Sequence, residues 1–338
     1  MDGGKGVKEA DQAKETKPVK ETKAVKAAAL LLCIMAALLF LVTGRMGGRE
    51  SDREGGRCFG ATYMTMNNPF YEIIDDEIRS ALEARGDVLI TRDPALDVDK
   101  QIDQVQEFID RGVAAIFINP VDWKAIEPAL SKAVEAGIPV VAVDSDVFDK
   151  DKVRCTVVSD NYQAGVLCAE YMMSHRKGGS ILLLTHTAAK SGLDRIQGFR
   201  DRVAGSPSFQ IVDEGDCLGQ LELAMPVTER LLKKHPGTDI MMCLNDPAAM
   251  GAMAALKDAG MTGKVEVYGV DGSPDGKSMI GEGMMTATAA QFPRRLGREA
   301  AEAAFRILAG EQVETIIKVP TELITDMNLE KYGSDGWQ

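Results

Sequence analysis

Five polar side chains follow short apolar runs in this sequence, each at the point where the run ends. They are Asn119, Asp144, Asn245, Asp271 and Gln291. Carboxylates accept hydrogen bonds and amides both donate and accept them, which matches the neighbouring hydroxyl groups of a polyhydroxylated molecule. The five side chains therefore favour binding of such a molecule. Each one taken singly has an alternative interpretation, because Asp and Asn after a strand often cap the next helix or begin a turn.

Two adjacent aromatic residues, Phe70 and Tyr71, follow the turn-forming segment Asn67-Asn68-Pro69. Aromatic residues make up only 5% of the chain, so a pair in one loop is informative. Two neighbouring rings at the start of a helix cannot both face one core, and we expect them to stack on the C–H face of a sugar ring. The alternative is that one ring is buried and the other lies on the protein surface.

Arg195 is the basic residue that we expect to join this set, in the segment Asp194–Phe199. A guanidinium group donates two parallel hydrogen bonds, which suits a pair of neighbouring oxygen atoms on one ligand. The alternative is an ion pair on the surface of a helix, with Asp194 or another nearby carboxylate as the partner.

Short apolar strands alternate with helical segments from Cys58 onward. We predict strands at 58–64, 88–92, 114–119, 139–144, 154–159, 180–185, 209–214, 239–244, 265–270, 285–291 and 321–325, and helices at 70–85, 99–111, 123–136, 161–175, 193–204, 220–234, 247–259 and 294–309. This alternation predicts an α/β fold with parallel sheets covered on both faces, and its double occurrence predicts two doubly wound lobes. Ligands of such sheets bind outside the carboxyl ends of the strands, where the polar side chains lie.

The composition excludes several classes of function. The chain has 338 residues and a net charge of −12, and residues 58–338 carry 28 Lys/Arg against 43 Asp/Glu. An acidic body of this size repels phosphate groups, so nucleic acid is not an expected partner. The six cysteines and three histidines show no zinc-ligand spacing, so we predict free thiols and neither a metal nor another cofactor.

The N-terminal region predicts a membrane segment. Residues 27–44 form an uncharged run of eighteen residues, which is long enough for one transmembrane helix. Residues 1–26 contain seven lysines and are expected to be a disordered cytoplasmic tail, and 45–57 are expected to be a linker. The run is either an uncleaved signal anchor or a cleaved signal peptide. Everything beyond it is then expected in the periplasm or at the cell surface, anchored to the membrane unless the run is cleaved.

The chain from Cys58 to about Asp326 resembles the ribose/galactose-type periplasmic binding proteins of sugar ABC transporters. The matching segments are Asn67–Tyr71, Ile118–Asp122, Ser159–Asn161, Arg195–Phe199, Asn245–Asp246, Gly269–Gly276 and Ala290–Pro293. Each segment is weakly specific alone, but they occur in the family's order over nearly the whole outer region. The resemblance implies a three-strand hinge between a first lobe of 58–159 plus 292–316 and a second lobe of 160–291 plus 317–338.

The resemblance also implies which side chains contact the ligand. Those of the first lobe would be Asn68, Phe70, Tyr71, Asn119 and Asp144, and those of the second would be Arg195, Asn245 and Asp271, with Gln291 at the hinge. Ser145 is a departure, because the ribose-type pattern has an arginine directly after the strand-end aspartate. We include Ser145 in the site in place of that arginine. Tyr71 and Cys217 also differ from the ribose-type pattern, which leaves the individual sugar open.

The function expected from these features is that of a monomeric binding protein, which closes on a sugar or related polyol and delivers it to an ABC permease. One alternative is a membrane-anchored sensor that presents its closed form to a receptor histidine kinase. A sugar-responsive repressor of the same fold would need an N-terminal helix-turn-helix, where this chain has its apolar run. A glycosidase would rest on Asp144 and Asp271 alone, so we predict no catalytic residue and no enzyme.

Overall fold

A computed structural model describes residues 56–338 of the chain. The predicted cytoplasmic tail at 1–26, the predicted membrane segment at 27–44 and all but the last two residues of the predicted linker lie outside the described residues. Between residues 56 and 338, no helix combines the length and the apolar character that crossing a bilayer requires.

Strands and helices alternate through the whole described region. The strands are β1 (Cys58–Thr62), β2 (Val88–Arg92), β3 (Ile116–Ile118), β4 (Val140–Val143), β5 (Cys155–Ser159), β6 (Gly179–Thr185), β7 (Phe209–Asp216), β8 (Ile240–Cys243), β9 (Glu266–Asp271), β10 (Ala287–Ala290), β11 (Ile316–Val319) and β12 (Glu322–Thr325). The helices are α1 (Pro69–Glu83), α2 (Val98–Asp110), α3 (Glu127–Glu135), α4 (Asn161–His175), α5 (Lys190–Ala204), α6 (Leu221–Lys234), α7 (Asp246–Asp258), α8 (Pro274–Gly281), α9 (Pro293–Leu308) and α10 (Leu329–Tyr332). Every predicted strand and helix has a counterpart here.

Two short helices, α8 and α10, were not predicted from the sequence. Helix α8 contains Gly276 and ends at Gly281, and glycine is a poor helix former. Its start is nevertheless marked, because the side chain of Ser273 accepts a hydrogen bond from the backbone N–H of Gly276. Helix α10 has only four residues, which is too short for a periodic pattern.

The strands form two six-stranded sheets, one in each lobe. The order is β11-β5-β4-β3-β1-β2 in the first sheet and β12-β10-β9-β8-β6-β7 in the second. This arrangement confirms the prediction of two parallel-sheet lobes, with one departure. Strand β12 is antiparallel to β10, because only Pro320 and Thr321 separate it from β11 in the first sheet and no helix returns the chain.

The chain passes from one sheet to the other three times. It does so between β5 and α4, between β10 and α9, and between β11 and β12. Strand β11 pairs with β5 as far as Val319, opposite Ser159. The third crossing therefore follows Val319, and the lobe boundary predicted after residue 316 falls inside a strand of the first sheet.

The first sheet is packed on both faces, which holds its strand ends in place. Phe59 and Phe117 stack on one face with ring centroids 6.2 Å apart, and Phe108 packs on the other. Gly60 in β1 lies directly under the Phe108 ring, where a Cβ atom would approach the ring to 2.6 Å. Glycine at this position lets α2 lie close to the sheet.

Helices α4 and α5 of the second lobe pack backbone against backbone, and this contact places Arg195. A Cβ atom on Gly165 would lie 1.8 Å from the carbonyl oxygen of Arg195, and one on Gly198 would lie 2.1 Å from that of Tyr162. Only glycine permits such an approach, since even alanine would separate the helices.

We expect Gly165→Ala to lower the free energy of unfolding by about 1–3 kcal/mol, because the added methyl group overpacks this contact. Gly205→Ala is the matched control. Gly205 has an ordinary φ of −77° and open space at its Cβ position, so alanine there should be neutral or slightly stabilising. Urea unfolding of both variants measures the difference, and equal stabilities would contradict the close packing of α4 on α5.

Candidate functional site

One cavity lies where the carboxyl ends of the two sheets face each other, and most of the predicted site residues line it. Those that do are Asn68, Phe70, Tyr71, Asp144, Arg195, Asn245, Asp271 and Gln291. They come from both lobes and from six separate segments of the chain. The structure therefore brings together eight of the ten residues, and the other two, Asn119 and Ser145, do not line the cavity.

Asp144 follows β4 in the left-handed region of backbone conformation, with a φ of 67°. Its carboxylate is buried, and Oδ2 accepts a hydrogen bond of 3.1 Å from Nδ2 of Asn119. The other oxygen, Oδ1, has no hydrogen-bond partner among residues 56–338. Burial raises the pKa of Asp144 to about 6, although the Arg195 charge acts in the opposite direction. The free oxygen is thus an acceptor of the cavity wall.

Asn119 supports Asp144 from behind the wall. Its Nδ2 also donates to the carbonyl oxygen of Val143 at 3.1 Å, and its Oδ1 accepts from the backbone N–H of Met64 at 3.1 Å. The amide is fully buried and both of its ends are used within the first lobe. The predicted contact of Asn119 with a ligand stays a prediction, and in the structure Asn119 does not line the cavity.

Ser145 makes a contact between the two lobes. Its side chain is buried, and Oγ accepts a hydrogen bond of 3.2 Å from the backbone N–H of Ser191 in the second lobe. Ser145 does not line the cavity, whereas its neighbour Asp144 does. Ser145 therefore joins the two lobes and is not part of the cavity wall.

Arg195 is buried in the second lobe and does not lie on a helix surface. Its Nε donates to Oδ1 of Asn161 at 2.8 Å, and its Nη1 donates to the carbonyl oxygen of Leu244 at 3.0 Å. Nη1 also lies 3.6 Å from Oδ1 of Asp271. The alternative of a surface ion pair with Asp194 is wrong, since that carboxylate pairs with Lys190.

Asp271 and Gln291 are neighbours across β9 and β10. Nε2 of Gln291 donates to Oδ1 of Asp271 at 2.8 Å, whereas Oδ2 of Asp271 and Oε1 of Gln291 have no partner within the described region. Burial raises the pKa of Asp271 well above its usual range, and the nearby Asp246 carboxylate raises it further. Two more acceptor atoms of the cavity wall are thus left to a ligand.

Asn68 and Asn245 line the cavity and also cap helices. Oδ1 of Asn68 accepts from the backbone N–H of Phe70 at 3.0 Å, and Oδ1 of Asn245 accepts from that of Ala248 at 2.9 Å. Nδ2 of Asn245 donates to the carbonyl oxygen of Gly219 at 3.0 Å. The helix-cap interpretation is therefore correct for Asn245, and Asn68 is a helix cap as well. Both residues still line the cavity.

Phe70 and Tyr71 both line the cavity, so the alternative that placed one ring on the surface is wrong. The rings are edge to face, with centroids 5.6 Å apart, and Tyr71 stacks on Tyr63 at 5.9 Å. Burial raises the pKa of the Tyr71 phenol well above its usual range, and the Asp144 carboxylate adds to that effect. Tyr71 therefore stays neutral and offers its hydroxyl group beside Asp144.

His186 is a cavity residue that the sequence analysis missed. It is buried, and desolvation lowers the pKa of its imidazole, which favours the neutral ring. The residue directly follows β6, so the pattern of polar residues at strand ends applies to it as well. Further wall residues without such a signal are Met64, Ala189, Ser191, Leu218, Gly219, Gln220 and Leu244.

The two lobes touch each other around the cavity. Nδ2 of Asn67 donates to Oε1 of Gln220 at 3.3 Å, and the backbone N–H of Trp123 donates to the carbonyl oxygen of Ala188 at 3.0 Å. Together with the contact between Ser145 and Ser191, these hydrogen bonds define a closed arrangement of the lobes.

Residues 336–338 cross behind the cavity. Nζ of the buried Lys277 donates to the carbonyl oxygen of Gly336 at 2.6 Å and to Oε1 of Gln338 at 3.1 Å. Nε2 of Gln338 donates to backbone carbonyl oxygens at the ends of β9 and β10. The Trp337 ring packs edge-on against Phe70 of the first lobe, with centroids 5.5 Å apart. This segment thus links both lobes at the back of the site.

Residues 59–312 match the family model described as periplasmic binding protein domain. The ribose import binding protein of Bacillus subtilis is 32% identical over 268 residues, which are 79% of this chain and 86% of that protein. An ABC transporter solute binding protein from Mycobacterium smegmatis with bound glycerol is 31% identical, with a TM-score of 0.79, covering 84% of this chain and 99% of that one. A Caulobacter myo-inositol binding protein bound to myo-inositol is 27% identical, with a TM-score of 0.77, covering 82% and 96%.

We expect Asn119→Ala to lower the free energy of unfolding by about 1–3 kcal/mol, because it leaves buried partners of the amide without a hydrogen bond. Asn67→Ala removes an asparagine that is exposed and makes one 3.3 Å hydrogen bond, so its effect should stay within about 0.5 kcal/mol. Urea unfolding of the two variants compares them directly. A loss no larger for Asn119→Ala than for Asn67→Ala would contradict the positioning role.

Proposed function

The chain belongs to the periplasmic binding protein family, and we propose that it is the binding component of an ABC transporter that takes up a sugar or a related polyol. The resemblance predicted from the motifs is confirmed by the family match over residues 59–312. The relatives described above include a ribose import binding protein and proteins with glycerol or myo-inositol bound. The family is one of binding proteins for transport and not of enzymes. Asp144 and Asp271 are proposed to hold a ligand and not to cleave one.

The proposed ligand class rests on three buried acceptor atoms of the cavity wall. Oδ1 of Asp144, Oδ2 of Asp271 and Oε1 of Gln291 are buried acceptor atoms without a partner among residues 56–338. All three residues line the same cavity. An unsatisfied buried polar group costs about 1–3 kcal/mol. A ligand with several hydroxyl groups in a fixed arrangement would satisfy all three at once, which an apolar ligand cannot do.

The aromatic residues supply the apolar part of the proposed recognition. The ring faces of sugars and cyclic polyols carry C–H groups that pack on aromatic side chains, and Phe70 and Tyr71 lie in the wall beside Asp144. The eight cavity residues predicted from the sequence are therefore proposed to contact the ligand directly. Asn119 and Ser145 are proposed to act indirectly. Asn119 would hold Asp144 in position, and Ser145 would support the contact between the lobes.

Closure of the lobes is the proposed mechanism of recognition. The ligand would touch both lobes only in the closed arrangement, so it would shift the equilibrium toward that arrangement by its difference in affinity. A ligand that lacks a hydroxyl group would leave a buried acceptor unpaired and bind more weakly. The permease would then recognise the surface that exists only when the lobes are closed.

The proposed location is outside the cytoplasm, which is where proteins of this family deliver ligands to a permease. We propose that residues 27–44 anchor the chain to the membrane, unless this run is removed as a signal peptide. The hydrophilic, lysine-rich residues before it would stay in the cytoplasm. The chain would act as a monomer, and no feature of residues 56–338 favours the sensor alternative over transport.

We expect Asp271→Asn to weaken sugar binding by about 1.5–3 kcal/mol, because the amide replaces a charged acceptor that faces the ligand. Asp275→Asn is the control, since Asp275 is exposed on the first turn of α8, outside the cavity. The ligand comes from a thermal-shift screen of the chain against pentoses, hexoses, linear polyols and inositols. Calorimetry of both variants with that ligand gives the comparison.

Two results would count against this proposal in different ways. Unchanged affinity in Asp271→Asn would remove Asp271 from the site and leave the ligand class standing. No thermal shift with any member of the panel would contradict a sugar or polyol as the ligand.

A further inference from the structure

More acidic than basic side chains line the cavity. Its wall contains two carboxylates, Asp144 and Asp271, and one guanidinium group, Arg195. The imidazole of His186 does not compensate, because desolvation lowers its pKa and favours the neutral form. With both carboxyl groups ionised, the wall has a formal charge of −1.

Arg195 compensates this charge only in part. Two of its nitrogen atoms donate to protein oxygens, Oδ1 of Asn161 and the carbonyl oxygen of Leu244. The guanidinium approaches Oδ1 of Asp271 at 3.6 Å, which is longer than a hydrogen bond. Each carboxylate keeps one oxygen without a partner in the described chain. The positive charge of Arg195 is thus shared among several acceptors.

A third buried carboxylate, Asp246, lies behind the wall, where its charge interacts with that of the buried Lys277. Its side chain is fully buried and accepts hydrogen bonds from the backbone N–H and Oγ of Ser273 at 2.8 Å and from Oγ1 of Thr288 at 2.6 Å. Burial raises the pKa of Asp246 to about 6, although these donors act in the opposite direction. The Asp246 charge contributes to the raised pKa of Asp271, and the Arg195 charge acts in the opposite direction.

We propose that the ligand is a polyhydroxylated molecule that carries a protonated amine, such as an amino sugar or an aminocyclitol; this inference rests on the function proposed above. An ammonium group donates three hydrogen bonds and accepts none, which suits a wall of unpaired acceptor oxygens. It also brings the unit of positive charge that the wall lacks. A neutral polyol would satisfy the hydrogen bonds of the wall but would leave its charge uncompensated.

A proton on one of the carboxyl groups is the competing way to neutralise the wall. In that case a neutral polyol would be the better ligand, because a protonated carboxyl group and an ammonium group would both need acceptors. The two cases therefore predict opposite preferences between ligands that differ only in one amine.

Matched pairs of ligands test this preference by calorimetry on the full chain at pH 7. The pairs are D-glucosamine with D-glucose, D-galactosamine with D-galactose, and an inosamine with the inositol of the same ring stereochemistry. In at least one pair, the amine should bind at least ten-fold more tightly than its hydroxyl counterpart. If the neutral member binds equally or more tightly in every pair that binds, the result would contradict an amine on the ligand. It would leave the proposed binding function unchanged. Absence of binding by all compounds, amines and polyols alike, would overturn both.

Asp144→Asn tests whether charge is the cause. The substitution removes one negative charge and keeps the size of the side chain, so the preference for the amine within a pair should fall about ten-fold. Asp151→Asn is the control, since Asp151 is exposed and lies outside the cavity, and it should keep the preference of the original chain. The thermal unfolding midpoint shows that both variants are folded. An unchanged preference in Asp144→Asn would overturn the electrostatic basis of the proposal.

Discussion

The buried guanidinium group of Arg195 is the point on which the candidate site depends. Its hydrogen bonds reach Asn161, the first residue after a crossing between the sheets, and the carbonyl oxygen at Leu244 after β8. Its charge lies beside Asp271 at the end of β9. A buried charge is costly unless its partners hold it. The glycine contact between α4 and α5 fixes the position of the Arg195 backbone in the second lobe. It thereby keeps the guanidinium group within reach of its partners.

The sequence predicted this site because parallel sheets present their strand ends at one edge. A polar residue after an apolar strand could therefore be assigned to the cavity before any contact was known. The same pattern could not tell a residue that faces a ligand from one that faces its neighbour. Asn119 follows the pattern, yet its amide makes hydrogen bonds within the first lobe. Ser145 comes directly after a strand-end residue, and its hydroxyl group makes a hydrogen bond to the other lobe. His186 also follows a strand, and it was missed because the pattern was applied only to Asp, Asn and Gln side chains.

The fold could be predicted from the sequence for a similar reason. The prediction failed where the connection between two strands is too short to contain a helix. Right-handed crossover helices keep successive strands parallel, and the alternation of strands with helices predicted them. Between β11 and β12 only two residues are present, so the second strand enters its sheet antiparallel. That detail depends on which sheet each strand joins, and a local pattern of apolar residues carries no information on it.

Residues 336–338 have a spectroscopic consequence. Trp337 packs on Phe70 of the first lobe, while its neighbour Gln338 is hydrogen-bonded to the second. The other tryptophan of the chain, Trp123, bonds across the cleft through its backbone to Ala188. The Trp123 ring also lies 5.9 Å from Nζ of Lys190 in the second lobe. We therefore expect the surroundings and the quenching of both indole rings to change when the cleft opens. The intrinsic emission of the protein is a built-in reporter of its conformation that requires no attached dye.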